Sequence, residues 1–515
     1  MSTETVRTTS RDGDAGASGG EVVTIDQATG QVLHRYPVAA PDQVEAAVGS
    51  ARAVTGPWWD LGFEGRADRL RAWQRDIVLG ADDLAALIHD ENGKSVEDGL
   101  SEVLAILGHL TFVIDNAERV LGRRDVPVPP TMAAHRAWVE HLPYGVVGVI
   151  GPWNFPLGTP GAIVVHALAA GNAVVLKPSE LTPGVGEWLA RSWARAVPDL
   201  PAVFQVVVGF AATGRALTRS GVDKIAFTGS VRSGRAVAAD AAARLTPLLL
   251  ELGGNDGVIV AEDADLDLAA ARITWGAFQN TGLGCISLEV AYVVDSVHDE
   301  LVARIAEQTA RVRVGSGEGD HIGPIPLVSQ IDVVREHVED ALSRGANAVV
   351  GGPRTDGGRY VPPTVLVDVP GDALAVTEET FGPVLSIVRV RDTDEAIDRV
   401  NAGPYGLGSA VFSRSRGEEI ARRLRVGMTS VNDALAVSMV AGLPFGGRGD
   451  SGYGRKHGDE GLLEFAYPHA ITASPGAAPL PAATFDRPPG TVAAAVRAVR
   501  DRLLGTTPKG TQHHA

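Results

Sequence analysis

The sequence contains a single cysteine, Cys285, in the segment QNTGLGCISLE. Gly282 and Gly284 flank it closely, and because glycine has no side chain they leave room for a ligand to approach the sulfur. A lone cysteine is either an inert buried thiol or a nucleophile, and the two glycines favour the nucleophile without deciding the matter. One cysteine also excludes an intrachain disulfide and a cysteine-based metal cluster, and we expect no metal site.

Two further side chains could act as a general base or as a hydrogen-bond donor to a developing negative charge. Glu251 ends the apolar run TPLLLEL, where a carboxylate is costly unless it is paired or lines a cleft. Loss of water would raise its basicity, which suits a general base, although a helix-capping or ion-paired glutamate fits the same position. Asn154, in PWNFP, offers an amide donor either to an oxyanion or to a structural Asx turn.

Glycines and charged residues that follow two strand-like runs indicate a phosphate- and ribose-binding site. In FTGSVRSG, Gly229 and Gly234 span a strand-to-helix junction, which would leave helix N-terminal amides free to meet a pyrophosphate. This spacing differs from the usual G-x-G-x-x-G pattern and is weak alone. In KPSE, the residues Lys177, Ser179 and Glu180 end or follow the run AVVLK, and a carboxylate there can accept the hydroxyls of a ribose.

The elements that must hold these residues alternate between short Val/Ile-rich runs and Ala-rich helical patterns. Apolar strands separated by helices predict a parallel sheet covered on both faces, with ligands at the carboxyl ends of the strands. Two such α/β units are expected in succession. The predicted strands of the first are 146–150, 173–177, 203–208 and 224–228, and those of the second are 257–261, 290–294, 384–390 and 408–413.

The two ends of the chain differ from this alternating pattern. Residues 1–20 are rich in Ser, Thr, Gly and Asp and are expected to form a disordered tail. A hairpin with its turn at 28–30 and helical segments between 41 and 121 should follow. Near the C-terminus, residues 491–504 form an amphipathic helical pattern, which suits either packing on the protein or a subunit, or binding to a membrane surface.

Length and charge restrict the class of protein. The chain has 515 residues, enough for roughly two to four domains, and a formal net charge of −16. Such an acidic balance disfavours a nucleic-acid surface, which needs a basic face. The N-terminus lacks the apolar core of a signal peptide and no apolar stretch of membrane-spanning length is evident, so a cytoplasmic protein without membrane attachment is expected.

Eight motifs occur in an order and at spacings that resemble the aldehyde dehydrogenase superfamily over about residues 22–472. This resemblance implies an α/β fold with a doubly wound Rossmann-type cofactor domain, an α/β catalytic domain and a small β oligomerisation arm. The motifs are PWNFP, LKPSELTP, FTGSVRSGR, LELGG, the Cys285 segment, EETFGPV, NAGPYGLGSAVFS and PFGGRGDSGYGRKHG.

The resemblance also implies how the chain is divided. The cofactor-binding domain should comprise 21–121 and 143–252, and the catalytic domain 253–450. The oligomerisation arm is expected at 122–142 and 459–474, followed by a C-terminal extension at 475–515. Because members of this family are usually dimers or tetramers, a homodimer or homotetramer is expected.

The resemblance further implies a role for each matching residue. Cys285 would attack a small-molecule aldehyde to form a thiohemiacetal and then a thioester, Asn154 and the Cys285 amide would hold the oxyanion, and Glu251 would activate water. The expected cofactor is NAD, with NADP as the alternative, because Glu180 would repel a 2′-phosphate. Cofactor contacts are implied for Trp153, Lys177, Ser179, Glu180, Gly229, Ser230, Gly234, Leu252, Glu379 and Phe381, and a substrate tunnel for Gly158, Thr159, Ala162, Gly284 and Asp433.

Two departures from the family pattern bear on activity and substrate. Leu283 stands where the family usually has Gln, and Val290 where it often has Arg, so shifted loop packing is expected. The small tunnel residues and the lack of an obvious cation beside them predict a medium-to-long aliphatic or an aromatic aldehyde. The alternatives are a semialdehyde dehydrogenase, a catalytically silent homologue, and a CoA-acylating enzyme, which commonly lacks the base at Glu251.

Overall fold

The computed structural model of the chain describes residues 20–129, 132–353, 358–474 and 485–505. The predicted tail at 1–20 therefore lies outside the described residues except for Gly20. The described helices are α1 Pro41–Ala53, α2 Thr55–Asp60, α3 Gly62–Leu79, α4 Ala81–Asn92, α5 Val96–Leu121, α6 Gly158–Ala169, α7 Pro183–Ala196, α8 Ala211–Arg219, α9 Val231–Ala242, α10 Leu266–Phe278, α11 Asp295–Thr309, α12 Val328–Ser343, α13 Leu374–Thr377, α14 Thr393–Ala402, α15 Gly417–Ala421, α16 Ala436–Met439, α17 Gly458–Glu464 and α18 Thr491–Leu503. The described strands are β1 Glu21–Ile25, β2 Val32–Pro37, β3 Arg124–Val126, β4 Arg136–Pro143, β5 Val146–Ile150, β6 Ala173–Lys177, β7 Phe204–Val206, β8 Lys224–Thr228, β9 Leu248–Glu251, β10 Asp256–Val260, β11 Leu288–Val294, β12 Asn347–Val350, β13 Thr364–Val367, β14 Val384–Val390, β15 Ser409–Phe412, β16 Ser430–Val431, β17 Gly452–Tyr453 and β18 Ala466–Ala473.

The first large sheet has the strand order β17-β9-β8-β5-β6-β7. All its pairs are parallel except β17–β9. The chain runs outward from β5 through β6 to β7 and then returns to β8 on the other side of β5. This reversal leaves a crevice at the carboxyl ends of β5 and β8, which is where ligands bind in doubly wound sheets. The predicted doubly wound parallel sheet is confirmed.

The second large sheet has the order β12-β13-β14-β11-β10-β15-β16. It is parallel except for the β12–β13 pair at its edge. Its inner strands β10 and β11 are buried along their whole length, and apolar clusters cover both faces of the sheet. The predicted second α/β unit is therefore also confirmed.

Helix α5 is the one described helix that is long and apolar enough to cross a membrane by length and composition alone. It packs against α3, α4, α6 and α17. Val103, Ile106 and Leu110 belong to the main apolar core. Part of its apolar surface is thus buried inside the protein.

The described chain separates into two compact units. The first comprises residues 1–121 and 142–467 and contains both large sheets, and the second comprises 122–141 and 468–515. A three-stranded sheet of order β18-β4-β3 draws on the residues of the second unit. The further predicted division of the first unit at residue 252 stays a prediction.

Helix α18, in the second unit, has no buried residue. Val492, Val496, Val499 and Leu503, the residues of the predicted apolar stripe, are all exposed. The amphipathic helix predicted at 491–504 is therefore present.

Candidate active site

The Cys285 loop begins with an unusual turn. After α10 ends at Phe278, the residues Asn280, Thr281 and Gly282 have φ values of 49°, 58° and 68°, in the left-handed region. Gly282 also approaches the carbonyl of Gly382 so closely that a Cβ would collide with it. The turn reverses the chain and leaves Cys285 partly exposed at the wall of a large cavity.

The two departures from the family pattern lie together in the structure. Leu283 and Val290 are both about 1% exposed and belong to the same apolar cluster. Because an apolar residue at each position lets both pack without a buried unpaired polar group, the substitutions are mutually compatible. They give no structural reason to expect a disabled site.

Asn154 joins the loop after β5 to the Cys285 loop. Its side-chain amide donates a hydrogen bond to the Leu283 carbonyl at 2.8 Å, and the Asn280 amide donates to the Asn154 carbonyl at 3.0 Å. Asn154 also lines the same cavity as the thiol. One amide hydrogen of Asn154 is engaged with Leu283, which fixes the direction of the other.

A buried ion pair supports the Asn154 loop from behind. Lys94 donates to Glu102 at 2.6 Å and to the Asn154 carbonyl at 2.8 Å, and both charged side chains are at most 3% exposed. The other carboxylate oxygen of Glu102 accepts the backbone N–H groups of Leu157, at 3.0 Å, and of Gly158, at 2.8 Å. The pair thus fixes the loop at both ends.

Glu251 is the last residue of β9 and is about 1% exposed. The chain beyond it passes so close to the thiol loop that a Cβ on Gly254 would collide with the Cys285 carbonyl. Burial and the Glu251 carboxylate raise the pKa of the Cys285 thiol well above its usual value, and the Lys456 ammonium opposes them. Lys456 Nζ lies 3.5 Å from Glu251 Oε2.

The cavity at the thiol has a volume of about 850 Å³ and extends along the carboxyl edge of the first sheet. This is the upper part of the range typical of ligand pockets. The cavity brings together most of the residues predicted to contact the cofactor, namely Trp153, Lys177, Ser179, Glu180, Gly229, Ser230, Leu252, Glu379 and Phe381.

The N-terminus of α9 opens onto this cavity. Ser230 caps the helix by accepting the Ser233 N–H, and both serines line the cavity. Gly234 does not line it, but a Cβ there would meet the Leu252 side chain at 2.9 Å or less, so glycine lets the helix approach the β9 loop. Free N–H groups and a positive helix end suit a phosphate.

Lys177 and Glu180 form an ion pair at 3.2 Å beside the cavity. The Lys177 side chain is buried, whereas that of Glu180 is 42% exposed and reaches solvent. A carboxylate held in this way can accept the hydroxyls of a ribose.

The segment Glu379–Phe381 is held by a carboxylate that the sequence did not single out. Glu289, on β11, accepts the N–H groups of Thr380 at 2.7 Å and Phe381 at 2.9 Å. Burial raises the pKa of Glu289 to about 8. Glu379 accepts the Gly254 N–H at 2.9 Å, and the Phe381 ring packs edge-on against Trp153 at 5.7 Å.

The residues predicted to line a substrate tunnel are spread over several elements. Thr159 lines the large cavity, Gly158 is bound to Glu102, and Ala162 is fully buried in α6. At Asp433, the expectation that no cation lies nearby is wrong. Arg272, on α10, is 4.0 Å from the Asp433 carboxylate, and both side chains are partly exposed.

Comparison with known proteins identifies the family. The model of the aldehyde dehydrogenase family matches residues 15–471. A 4,4′-diapolycopene aldehyde oxidase of Methylomonas sp is 37% identical over 87% of this chain and 84% of its own length. A glutarate-semialdehyde dehydrogenase of Pseudomonas aeruginosa is 35% identical over 88% of this chain and 94% of its own. The chain belongs to the aldehyde dehydrogenase family.

Solved structures of aldehyde dehydrogenases share the fold. The crystal structure of succinate-semialdehyde dehydrogenase from Burkholderia pseudomallei superimposes with a TM-score of 0.85 at 31% identity, covering 88% of this chain and 95% of that one. The predicted family, fold, enzyme class and nicotinamide cofactor class are confirmed. The oligomeric state and the cytoplasmic location stay predictions.

Sequence reasoning missed several residues of this aldehyde dehydrogenase that contact the predicted site. Each is a charged side chain in a buried or partly buried position, and the site residue that it contacts lies far away along the chain. The only available signal was a charge beside apolar residues, which does not identify a partner. These residues are Lys94, Glu102, Arg272, Glu289 and Lys456.

Removing one member of the buried pair should destabilise the enzyme. Lys94→Met leaves the Glu102 charge buried without its partner, and such a loss costs about 3–5 kcal/mol. Urea unfolding should show this decrease in the free energy of unfolding. The double variant Lys94→Met/Glu102→Gln, which removes both charges, should lose less, and equal losses in the two proteins would contradict the assignment.

Proposed function

We propose that the protein oxidises an aldehyde to a carboxylic acid with NAD(P), through a thioester on Cys285. The observation that carries this proposal is that the candidate catalytic side chains and the predicted cofactor residues lie close together. The Cys285 thiol and the Asn154 amide line one cavity, which also presents a helix N-terminus and the Glu180 carboxylate. The buried Glu251 carboxylate interacts with the thiol from behind the cavity wall. These are the groups that covalent oxidation of an aldehyde needs.

The three side chains have distinct tasks. The Cys285 thiolate attacks the aldehyde carbon, and the free amide hydrogen of Asn154 donates to the resulting oxyanion. After oxidation to the thioester, the Glu251 carboxylate takes a proton from water, which attacks the carbonyl carbon and releases the acid. Glu251 also argues against transfer of the acyl group to CoA.

The cavity residues fit a nicotinamide dinucleotide. The N-terminus of α9 would hold the pyrophosphate, Glu180 the adenosine ribose, and Glu379 with Phe381 the nicotinamide end. When bound, the cofactor supplies the hydride acceptor. We expect NAD to be preferred, because the exposed Glu180 carboxylate repels a 2′-phosphate.

Cofactor reduction, followed by near-ultraviolet absorbance, tests this proposal. The wild-type protein should reduce NAD, and NADP more slowly, with an aldehyde. Cys285→Ala should abolish reduction while cofactor binding, measured by calorimetry, is retained. Asn154→Ala should lower kcat by about 10²–10³. Full activity in Cys285→Ala would refute the thioester route.

For the substrate, we propose a semialdehyde, that is, an aldehyde with a carboxylate at its other end. The names of several relatives favour this class over the expected aliphatic or aromatic aldehyde. The Arg272 guanidinium supports it, since among the described residues its one ion pair is a long one, 4.0 Å, to the Asp433 carboxylate. A substrate carboxylate would be a closer partner for it.

A long apolar aldehyde is a second candidate, supported by a separate observation. The segment that continues from the Asp433 loop exposes Met439, Val440 and Leu443, and Leu104 of α5 is exposed as well. Exposed apolar side chains suit the entrance for an apolar ligand. The relative named for an aldehyde of diapolycopene agrees with this candidate.

Arg272→Ala distinguishes the two substrate classes. If Arg272 binds the substrate carboxylate, KM for glutarate and succinate semialdehydes should rise by about tenfold or more, while KM for hexanal stays unchanged. Arg414→Ala, which removes another surface arginine paired with an aspartate, is the control. Preferred turnover of hexanal or benzaldehyde by the wild type would favour the apolar class instead.

A further inference from the structure

Lys456 is a buried cation at the back of the site, with no role in the chemistry described above. Its side chain is about 3% exposed, and its Nζ lies 3.5 Å from the Glu251 carboxylate, which is equally buried. Burying an ammonium group is costly unless it is compensated. Its placement therefore calls for an explanation.

Several contacts hold Lys456 in this position. Strand β17 pairs with β9, so that Gly452 lies opposite Glu251, and this pairing brings the following residues to the carboxylate. Lys456 then bonds to Phe445 through both backbone groups, at 2.6 and 2.9 Å, and its ammonium lies 4.3 Å from the Phe445 ring. His457, with a φ of 67°, turns the chain sharply into α17.

Three buried histidines also lie near Lys456 in the described part of the chain. His109 of α5 and His457 have ring centroids 3.9 Å apart, and His166 of α6 lies behind them. Burial lowers the pKa of all three, to about 3 for His109 and about 4 for His166, and Lys456 repels the protonated forms of His109 and His457. The histidines are therefore neutral near pH 7, and Lys456 provides the positive charge that faces Glu251.

This charge resolves a difficulty in the proposed chemistry. Cys285 is only partly exposed and interacts closely with the buried Glu251 carboxylate, and two such neighbouring groups cannot both carry negative charge at low cost. With Lys456 protonated, the set of thiol, carboxylate and ammonium has no net charge. When the thiol proton moves to a Glu251 oxygen, the S–H bond breaks, an O–H bond forms, and the set stays neutral.

We propose that Lys456 is a positioning residue that holds Glu251 beside Cys285 and supplies the positive charge that makes the thiolate accessible. The Lys456 ammonium thus balances the one negative charge that Cys285 and Glu251 share, whichever of the two groups carries it. This inference rests on the proposed function only for the identity of the nucleophile. Its test needs neither aldehyde nor cofactor.

The rate of Cys285 alkylation by iodoacetamide, measured from about pH 6 to 10, tests this role, since only the thiolate reacts. In Lys456→Met the pH profile should move to higher pH by about one to three units, which lowers the rate near neutral pH by about tenfold or more. Lys456→Arg, which keeps the charge, should restore most of the wild-type profile. A purely structural role would not shift the profile.

Lys224→Met is the matched control. Lys224 is also buried, is paired with Glu464 at 2.6 Å and lies over an aromatic ring, but it is at the opposite end of β8 from the site. Its profile should match the wild type.

A folded Lys456→Met with the wild-type profile would overturn the inference, whatever its dehydrogenase activity. If this variant does not fold, Lys456→Gln takes its place with the same criterion. Loss of turnover in Cys285→Ala tests the proposed function separately, so the failure of one proposal is distinguishable from the failure of the other.

Discussion

The hydrogen bond from the Asn154 amide to the Leu283 carbonyl connects the two halves of the site. Asn154 follows β5 of the first sheet, whereas Leu283 precedes β11 of the second. The Cys285 thiol can face the proposed cofactor crevice only if these loops keep their relative positions, because the thiol follows the second sheet's helix α10 and the crevice belongs to the first sheet. The return bond from Asn280 and the buried Lys94–Glu102 pair reinforce the same junction.

Several buried carboxylate side chains lie around this junction, and their mutual repulsion is a second constraint on the site. Burial raises the pKa of Asp256 and Glu379 well above their usual values, and the charges of neighbouring carboxylates, including Glu251, add to the effect. Several carboxylates cannot all be ionised in so small a volume. Backbone N–H groups stabilise Glu289 and Glu379, whereas Glu251 depends on Lys456. Glu251, the proposed general base, is thus the one carboxylate among these four for which the described structure shows an ion pair with a cation.

The sequence predicted much of the fold because its central strands are continuous apolar runs. Strands β5, β6, β8 and β14 begin and end at the predicted residues. The sequence showed strand β9 only as an apolar run. A run of four residues is too short for its pattern to distinguish a strand from the end of a helix. Strand β17 has two residues and exists only through its pairing with β9, which no local pattern reveals.

The site was predictable to a similar extent. Cys285, Asn154 and most predicted cofactor residues share one cavity, because glycine and proline motifs at strand ends mark where loops open onto a sheet edge. The supporting charges were not predictable, since Lys456 meets Glu251, and Glu289 meets Thr380, only after the chain has folded. Leu283 and Val290 depart from the family pattern in sequence, and the structure packs both into one apolar cluster.

The central claim is that the reaction passes through an acyl group on Cys285, which Glu251 then helps to release. The mass of the Glu251→Gln protein after incubation with an aldehyde and NAD tests it most directly. We expect one equivalent of reduced cofactor, followed by a protein heavier by the aldehyde less two hydrogen atoms, with the increment on the Cys285 peptide. Cofactor reduction at the wild-type steady-state rate, with Cys285 unmodified throughout, would contradict the account.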